Sequence, residues 1–180
     1  MSDRPIVAVT REIPQAGLDL LGAVAELRVW PGEMPPTPGE LDTLLDGVRG
    51  ALTLLDDRVD GDVLDRHPEL KIVSNYAVGY DNIDVEAATG RGVAVCNTPE
   101  VLTETTAEFA FTLLMATARR VVEAADYIRA GRWHTWGPQV LLGQNVTGAT
   151  LGIIGFGRIG KEMARMASGF RMRILVPDTT

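Results

Sequence analysis

Strand-type runs recur along the chain at Ile6–Val9, Leu27–Trp30, Ala51–Leu55, Lys71–Ser74 and Val93–Cys96, each short and carried by branched or large apolar residues. Between them lie segments of helical spacing with local start or stop signals. Gln15–Leu21 follows Pro14, and Gly39–Leu45 follows the proline-rich stretch Pro31–Pro38. Asp62–Arg66 ends before Pro68, and Val85–Thr89 ends at Gly90. Strands can lie parallel only when a long crossover joins them, so strand alternating with helix predicts a parallel sheet covered on both faces. The pattern predicts an α/β domain built on a parallel sheet over residues 1–98.

The texture changes after Asn97-Thr98-Pro99. From Leu102 to Ile128 the spacing predicts one long helix, with Phe109, Leu113, Val121 and Val122 set among small residues such as Ala107, Ala110, Ala118 and Ala125. Thr105-Thr106-Ala107-Glu108 has the form of a capping box, although a start further upstream fits as well, and Gly131 supplies the stop. An irregular aromatic stretch follows, Trp133-His134-Thr135-Trp136-Gly137-Pro138. Leu151–Ile154 then reads as a strand, Arg158–Ala167 as a helix with Ile159, Met163 and Met166 on one face, and Met172–Val176 as a second strand. Residues 99–180 are therefore expected to hold the first βαβ unit of a second, Rossmann-type domain.

Composition narrows the function classes. Of 180 residues, 46% are apolar, enough for a packed core. The net charge of −7 and the lack of any block of Lys or Arg argue against nucleic acid and against an anionic membrane as partners. No apolar run approaches a membrane span. The polar start, Met1 to Pro5, lacks the layout of a signal peptide, and Cys96 is the single cysteine, so a cytoplasmic location is expected.

Gly155-Phe156-Gly157-Arg158-Ile159-Gly160 is a G-x-G-x-x-G between an apolar strand and a helix, the context in which this pattern binds a dinucleotide. Gly155 would allow the sharp turn, Gly157 would leave room for the pyrophosphate, and Gly160 would let helix and strand pack closely. The N–H groups opening the helix would face the phosphates. Asp178 stands eighteen positions after the last glycine, where a carboxylate accepts hydrogen bonds from the adenosine ribose and repels a 2′-phosphate, which predicts NAD over NADP. A rival motif overlaps: Gly155 to Lys161 fits the start of a P-loop. Glu162 stands where that loop needs a hydroxyl for magnesium, so the nucleotide-hydrolase reading fails.

Several stretches together resemble the D-isomer-specific 2-hydroxyacid dehydrogenases. Asn75-Tyr76-Ala77-Val78-Gly79-Tyr80-Asp81-Asn82-Ile83-Asp84 resembles that family's substrate loop, Asn97-Thr98-Pro99-Glu100-Val101-Leu102-Thr103 its crossover between domains, and Gly152 to Gly160 its dinucleotide loop. Gly131-Arg132-Trp133 through Trp136, Pro138 and Leu142 is similar to the glyoxylate and hydroxypyruvate reductase branch. The resemblance covers essentially the whole chain, and it implies that residues 1–98 form a flavodoxin-like, parallel-sheet substrate domain. It implies a hydride transfer between NAD(H) and a small 2-keto or 2-hydroxy acid, with glyoxylate or hydroxypyruvate as substrate, in a homodimer.

By the same resemblance, backbone N–H groups at Val78 and Gly79 hold the substrate carboxylate, Leu54 walls the substrate pocket, and Thr106 lies near the nicotinamide. Trp136 reaches toward a second subunit's active site from an arm that forms the dimer interface. Each position also has a plain structural reading: a strand-to-helix turn at Val78-Gly79, core at Leu54, a helix cap at Thr106, and packing within its own chain for Trp133 and Trp136.

The family's substrate arginine, and its acid–base histidine with a glutamate partner, lie beyond the dinucleotide loop. The expectation is that this chain is a front portion, inactive alone, with no catalytic residue of its own. His67, before Pro68 at a helix end, reads as a surface residue, and His134 lies in the aromatic arm. Val176-Pro177-Asp178-Thr179-Thr180 departs from the Ser-Arg-Thr that suits NADP in the branch. A second reading keeps the fold without the catalysis, as a non-catalytic NAD-binding regulatory protein.

Overall fold

The computed structural model describes residues 4–177, so Asp178, the ribose-binding candidate, lies outside the described residues. The chain divides into two compact units, one up to Glu100 and the other from Val101.

The first unit runs β1 (Ile6–Val9), α1 (Gln15–Val24), β2 (Glu26–Val29), α2 (Pro38–Leu45), β3 (Gly50–Thr53), α3 (Gly61–Arg66), β4 (Ile72–Asn75), α4 (Val85–Gly90) and β5 (Ala94–Cys96). The strands form one sheet in the order β2-β1-β3-β4-β5, every pair parallel. This is the flavodoxin-like order, in which the chain reverses direction across the sheet beside β1 and ligands gather at the carboxyl ends of the strands. Ala8, Ala51 and Val73 from the strands pack with Leu41, Leu44 and Leu45 of α2, Leu64 of α3 and Ala88 of α4 in one buried cluster.

Side chains start the helices where the backbone has donors to spare. Thr37 and Glu40 form a capping box ahead of α2, with Pro38 inside its first turn. Asp60 caps α3 by accepting from Val63 N at 3.1 Å, and Asp84 caps α4 by accepting from Ala87 N at 2.8 Å. Arg91 grips Asp65 with two parallel bonds of 2.8 Å, tying the end of α4 to α3.

His67 is not a surface residue. Its ring is buried and its Nε2 lies 2.9 Å from Asp42 Oδ1 on α2. The turn that ends α3 folds the imidazole back against α2, where a carboxylate shared with Arg66 satisfies it.

The second unit contains α5 (Thr103–Ala118), α6 (Val121–Arg129), β6 (Thr150–Gly152), α7 (Arg158–Ser168) and β7 (Arg173–Leu175), with β6 and β7 parallel. Phe111 of α5 and Phe170 after α7 meet with ring centroids 5.2 Å apart. The single long helix expected from Leu102 to Ile128 is two helices. Arg120 takes a left-handed conformation, φ 54°, and binds Glu123 in the first turn of α6. The returning chain supplies the reason: Gln144 N takes the Ala118 carbonyl at 2.7 Å, so the last turn of α5 is closed from outside its own helix.

Helix α5 starts at Thr103 behind Leu102, which puts Thr105 and Thr106 inside its first turn. The Thr105–Glu108 capping box is therefore unused, and Thr106 N bonds Leu102 O as an ordinary helical residue. Among the described residues no helix is long and apolar enough to cross a membrane, and no cluster of His, Cys, Asp or Glu could hold a metal ion.

Candidate functional site

The turn after β4 carries the first candidate surface. Three successive carbonyls are drawn into the protein: Ala77 O accepts from Thr98 N at 2.9 Å, Val78 O from Asn97 Nδ2 at 2.8 Å, and Gly79 O from Asn75 Nδ2 at 2.8 Å. A trans peptide holds its C=O and N–H on opposite sides, and the described chain has no cis bond. The N–H groups of Val78, Gly79 and Tyr80 are therefore turned the other way, and none of them meets an acceptor among the described residues. A row of outward N–H groups has the chemistry to take an anion.

Gly79 is not there for an unusual backbone angle, since its φ is not positive. Its lack of a side chain keeps a space open: a Cβ would sit 3.6 Å from Leu55 Cδ2 and 3.9 Å from an Asp81 carboxylate oxygen. Leu55, largely exposed, is thus the apolar side chain over Gly79. Leu54, the candidate wall residue, is half-buried, and its backbone is tied down on both sides: its N–H donates to Asp57 Oδ2 at 2.7 Å and its carbonyl accepts from Asn82 Nδ2 at 3.0 Å.

Beneath the turn lies a buried polar network at the carboxyl ends of β1, β3 and β4. Thr53 Oγ1 donates to Asn75 Oδ1 at 2.9 Å, and Asn75 Nδ2 also reaches Asn82 Oδ1 at 3.0 Å. Asn82 Nδ2 binds Asp57 O at 2.8 Å, and Thr10 Oγ1 bonds Asp57 Oδ2. The Asp57 side chain is fully buried, and Arg11 faces it at 3.9 Å. Sequence reading missed Asn75, Asn82, Asn97 and Asp57 as site residues. Asparagines in loops signal turns in general, and nothing in their spacing says which carbonyls they will hold.

The second candidate surface is the glycine turn between β6 and α7. Gly155 has φ 91°, a conformation that L side chains rarely adopt. A Cβ at Gly160 would be driven into the Gly155 carbonyl and would lie 3.2 Å from Ile153 Cγ2, so only glycine lets α7 come this close to the turn. A Cβ at Gly157 would meet nothing within 4 Å. Gly157 is the N-cap of α7, and no side chain caps this helix start, the kind of terminus whose N–H groups suit an anion. Phe156 and Arg158 are exposed, and Ile159 is half-buried.

Thr106 is half-buried in the first turn of α5. Trp136 is 74% exposed, and Trp133 is half covered by its own chain. The guanidinium of Arg132 stacks over Tyr127, 4.8 Å from the ring centroid. His67 is occupied by Asp42, and His134 is exposed in the arm.

The chain is similar to known proteins in sequence and in fold. Residues 7–151 match the family model described as D-isomer specific 2-hydroxyacid dehydrogenase, catalytic domain. The glyoxylate reductase of Thermococcus gammatolerans is 53% identical over 98% of this chain and 54% of its own length. A crystal structure of a Thermus thermophilus protein superposes with a TM-score of 0.89 at 43% identity, covering 97% of this chain and 58% of that one. A Polaromonas structure named for NAD-binding in D-isomer specific 2-hydroxyacid dehydrogenases has a TM-score of 0.88 at 33% identity, covering 98% of this chain and 56% of that one. The chain spans about half the length of the curated relatives it matches. By the extent of the family match and the identity to these structures, the chain belongs to the D-isomer specific 2-hydroxyacid dehydrogenase family.

Proposed function

We propose that this chain provides the substrate and cofactor surfaces of an NAD-dependent oxidoreductase that moves a hydride between NAD(H) and a small 2-oxo or 2-hydroxy acid, glyoxylate or hydroxypyruvate. The observation that carries the reading is the row of three outward N–H groups at Val78, Gly79 and Tyr80. Such a row holds a carboxylate and fixes its plane, which orients the adjoining oxo carbon. Leu54 and Leu55 give that side an apolar flank, and the bare Gly79 leaves its N–H groups unobstructed by a side chain of its own.

The glycine turn fits a dinucleotide. Gly155 and Gly160 bring the helix start close under the strand, Gly157 leaves the pyrophosphate free to approach, and the first N–H groups of α7 would bind it, with Phe156, Arg158 and Ile159 alongside. When bound, the nicotinamide supplies or takes up the hydride. Thr106, in the first turn of α5, is assigned to the nicotinamide side and Asp178 to the adenosine ribose. The proton that a ketone reduction requires is assigned to neither histidine, since His67 is committed to Asp42 and His134 stands in the arm. The exposed Trp133 and Trp136, with the apolar residues Phe109, Leu113, Val121 and Val122 on α5 and α6, support a homodimer through this arm, with Trp136 facing the second subunit's substrate. A cytoplasmic location accords with a nicotinamide enzyme carrying one free thiol.

Backbone amide signals of the intact protein test both surfaces. Glyoxylate should move those of Val78, Gly79 and Tyr80, and NAD⁺ those of Gly157, Ile159 and Gly160. Amides that stay still at saturating ligand would refute the corresponding assignment. Asp178→Ala should raise the use of NADP relative to NAD by about tenfold, the size expected when one repulsive charge is removed; an unchanged preference would remove Asp178 from the site.

A further inference from the structure

We infer that Asn75 is a positioning residue for substrate binding: its side-chain amide sets the Gly79–Tyr80 peptide so that Tyr80 N–H becomes a third donor to the substrate carboxylate. The inference rests on the carboxylate reading of the turn and adds to it the group that holds the turn in its binding form.

Asn75 closes β4 and is fully buried. Gly79 O can only accept, so the amide nitrogen of Asn75 must be the atom facing it, at 2.8 Å. The rest of the side chain is fixed as well. Its oxygen accepts from Thr53 Oγ1 at 2.9 Å, and its second N–H points to Asn82 Oδ1 at 3.0 Å. Asn82 in turn holds Leu54 O and Asp57 O, so one pair of amides ties the turn after β4 to the turn after β3. A buried amide with both its donors and its acceptor engaged has no cheap alternative rotamer, because any rotation strands polar groups away from water. The orientation of the Gly79–Tyr80 peptide is thereby decided before any ligand arrives. Among the described residues no other group provides this, for the Thr98 and Asn97 contacts act on Ala77 and Val78 and not on the Gly79 carbonyl.

Asn75→Asp is nearly isosteric and replaces the donor with a second acceptor that repels Gly79 O. In the intact protein this variant should bind glyoxylate about tenfold more weakly, the cost of losing one pre-set hydrogen bond to a charged group. The response of the Gly157–Gly160 amides to NAD⁺ should be unchanged, which a general loss of structure would not allow. Lowering the pH until the introduced carboxyl takes up a proton restores a donor, so glyoxylate affinity should recover relative to the unsubstituted protein. Equal glyoxylate affinity in a folded Asn75→Asp would overturn the inference, as would a loss that does not recover with acid. Should that variant fail to fold, Asn82→Ala leaves the bond to Gly79 and removes the partner that steadies it. A glyoxylate affinity about threefold weaker is then expected, and an unchanged one would overturn the inference. Amides at Val78–Tyr80 that ignore glyoxylate in the unsubstituted protein would overturn the carboxylate reading itself, and this inference with it.

Discussion

The two units leave backbone N–H groups without side-chain partners by opposite means. In the first unit the amides are aimed through their carbonyls: the Asn75 and Asn97 side chains and the Thr98 backbone pull three carbonyls inward at the edge of a sheet that carries a large buried apolar cluster. In the second the amides are left bare by the absence of side chains, at Gly155, Gly157 and Gly160, beside a two-stranded sheet that leaves Ile154 96% exposed. The first design is held by a network and a core. The second is held by spacing, and tolerates little at the positions where backbone meets backbone.

The largest expected effect separates the cores. Leu45 is fully buried in the first unit's cluster, and Leu45→Ala should cost about 2–5 kcal/mol in denaturant unfolding. Ile154→Ala in the second unit should stay within about 0.5 kcal/mol, because almost no surface is buried there. Comparable losses at the two positions would mean that Ile154 is covered in solution.

Next in size is a contrast inside the glycine turn. Gly160→Ala forces a methyl into the Gly155 carbonyl and should lower stability by about 1–3 kcal/mol in thermal unfolding. Gly157→Ala meets nothing in the protein and should leave the melting transition in place, while NAD⁺ affinity measured by calorimetry falls by at least roughly tenfold as the methyl occupies the pyrophosphate's approach. A Gly157→Ala variant that binds NAD⁺ normally would detach the turn from the cofactor.

The smallest effect is a response to acid. Asp42 is held below the ordinary aspartate range by hydrogen bonds from Arg66 and then His67, Asp65 by Arg91, and Asp60 by the Val63 N–H. Depressed carboxyl values stabilise the fold fully above the ordinary range, and that contribution is lost as pH falls below about 4. In the first unit Asp42–Arg66 and Asp65–Arg91 join different helices, so acid should loosen α2, α3 and α4 together. In the second unit Glu123–Arg120 is an i,i+3 pair at the start of α6 and Glu162–Arg165 one within α7; their carboxylates are depressed in the same way, but acid removes only local support. Carboxyl titration followed with amide exchange tests this, and simultaneous loosening of α6 and α7 with α2–α4 would erase the distinction.

Strand and helix alternation was legible throughout the first unit because its elements carry their own apolar spacing and local start or stop signals. The buried network was not, because it joins Thr53 to Asn75 and Leu54 to Asn82 across separate turns, and local spacing holds no record of such pairs. The break at Arg119-Arg120 escaped for a related reason: no glycine or proline marks it, and the cause stands two dozen residues later at Gln144. His67 looked exposed because its partner, Asp42, belongs to another helix. The glycine turn could be read because its geometry is imposed by residues next to one another.

That contact between Gln144 and Ala118 also governs how the arm can change. A Cβ at Gly143 would fall 2.5 Å from the Ala118 oxygen, so the chain departs and returns through one tight crossing where only glycine passes. Everything from 120 to 142 hangs from that crossing as a closed excursion. A change in its length need not pass into the register of α5 on one side or of the chain leading to β6 on the other.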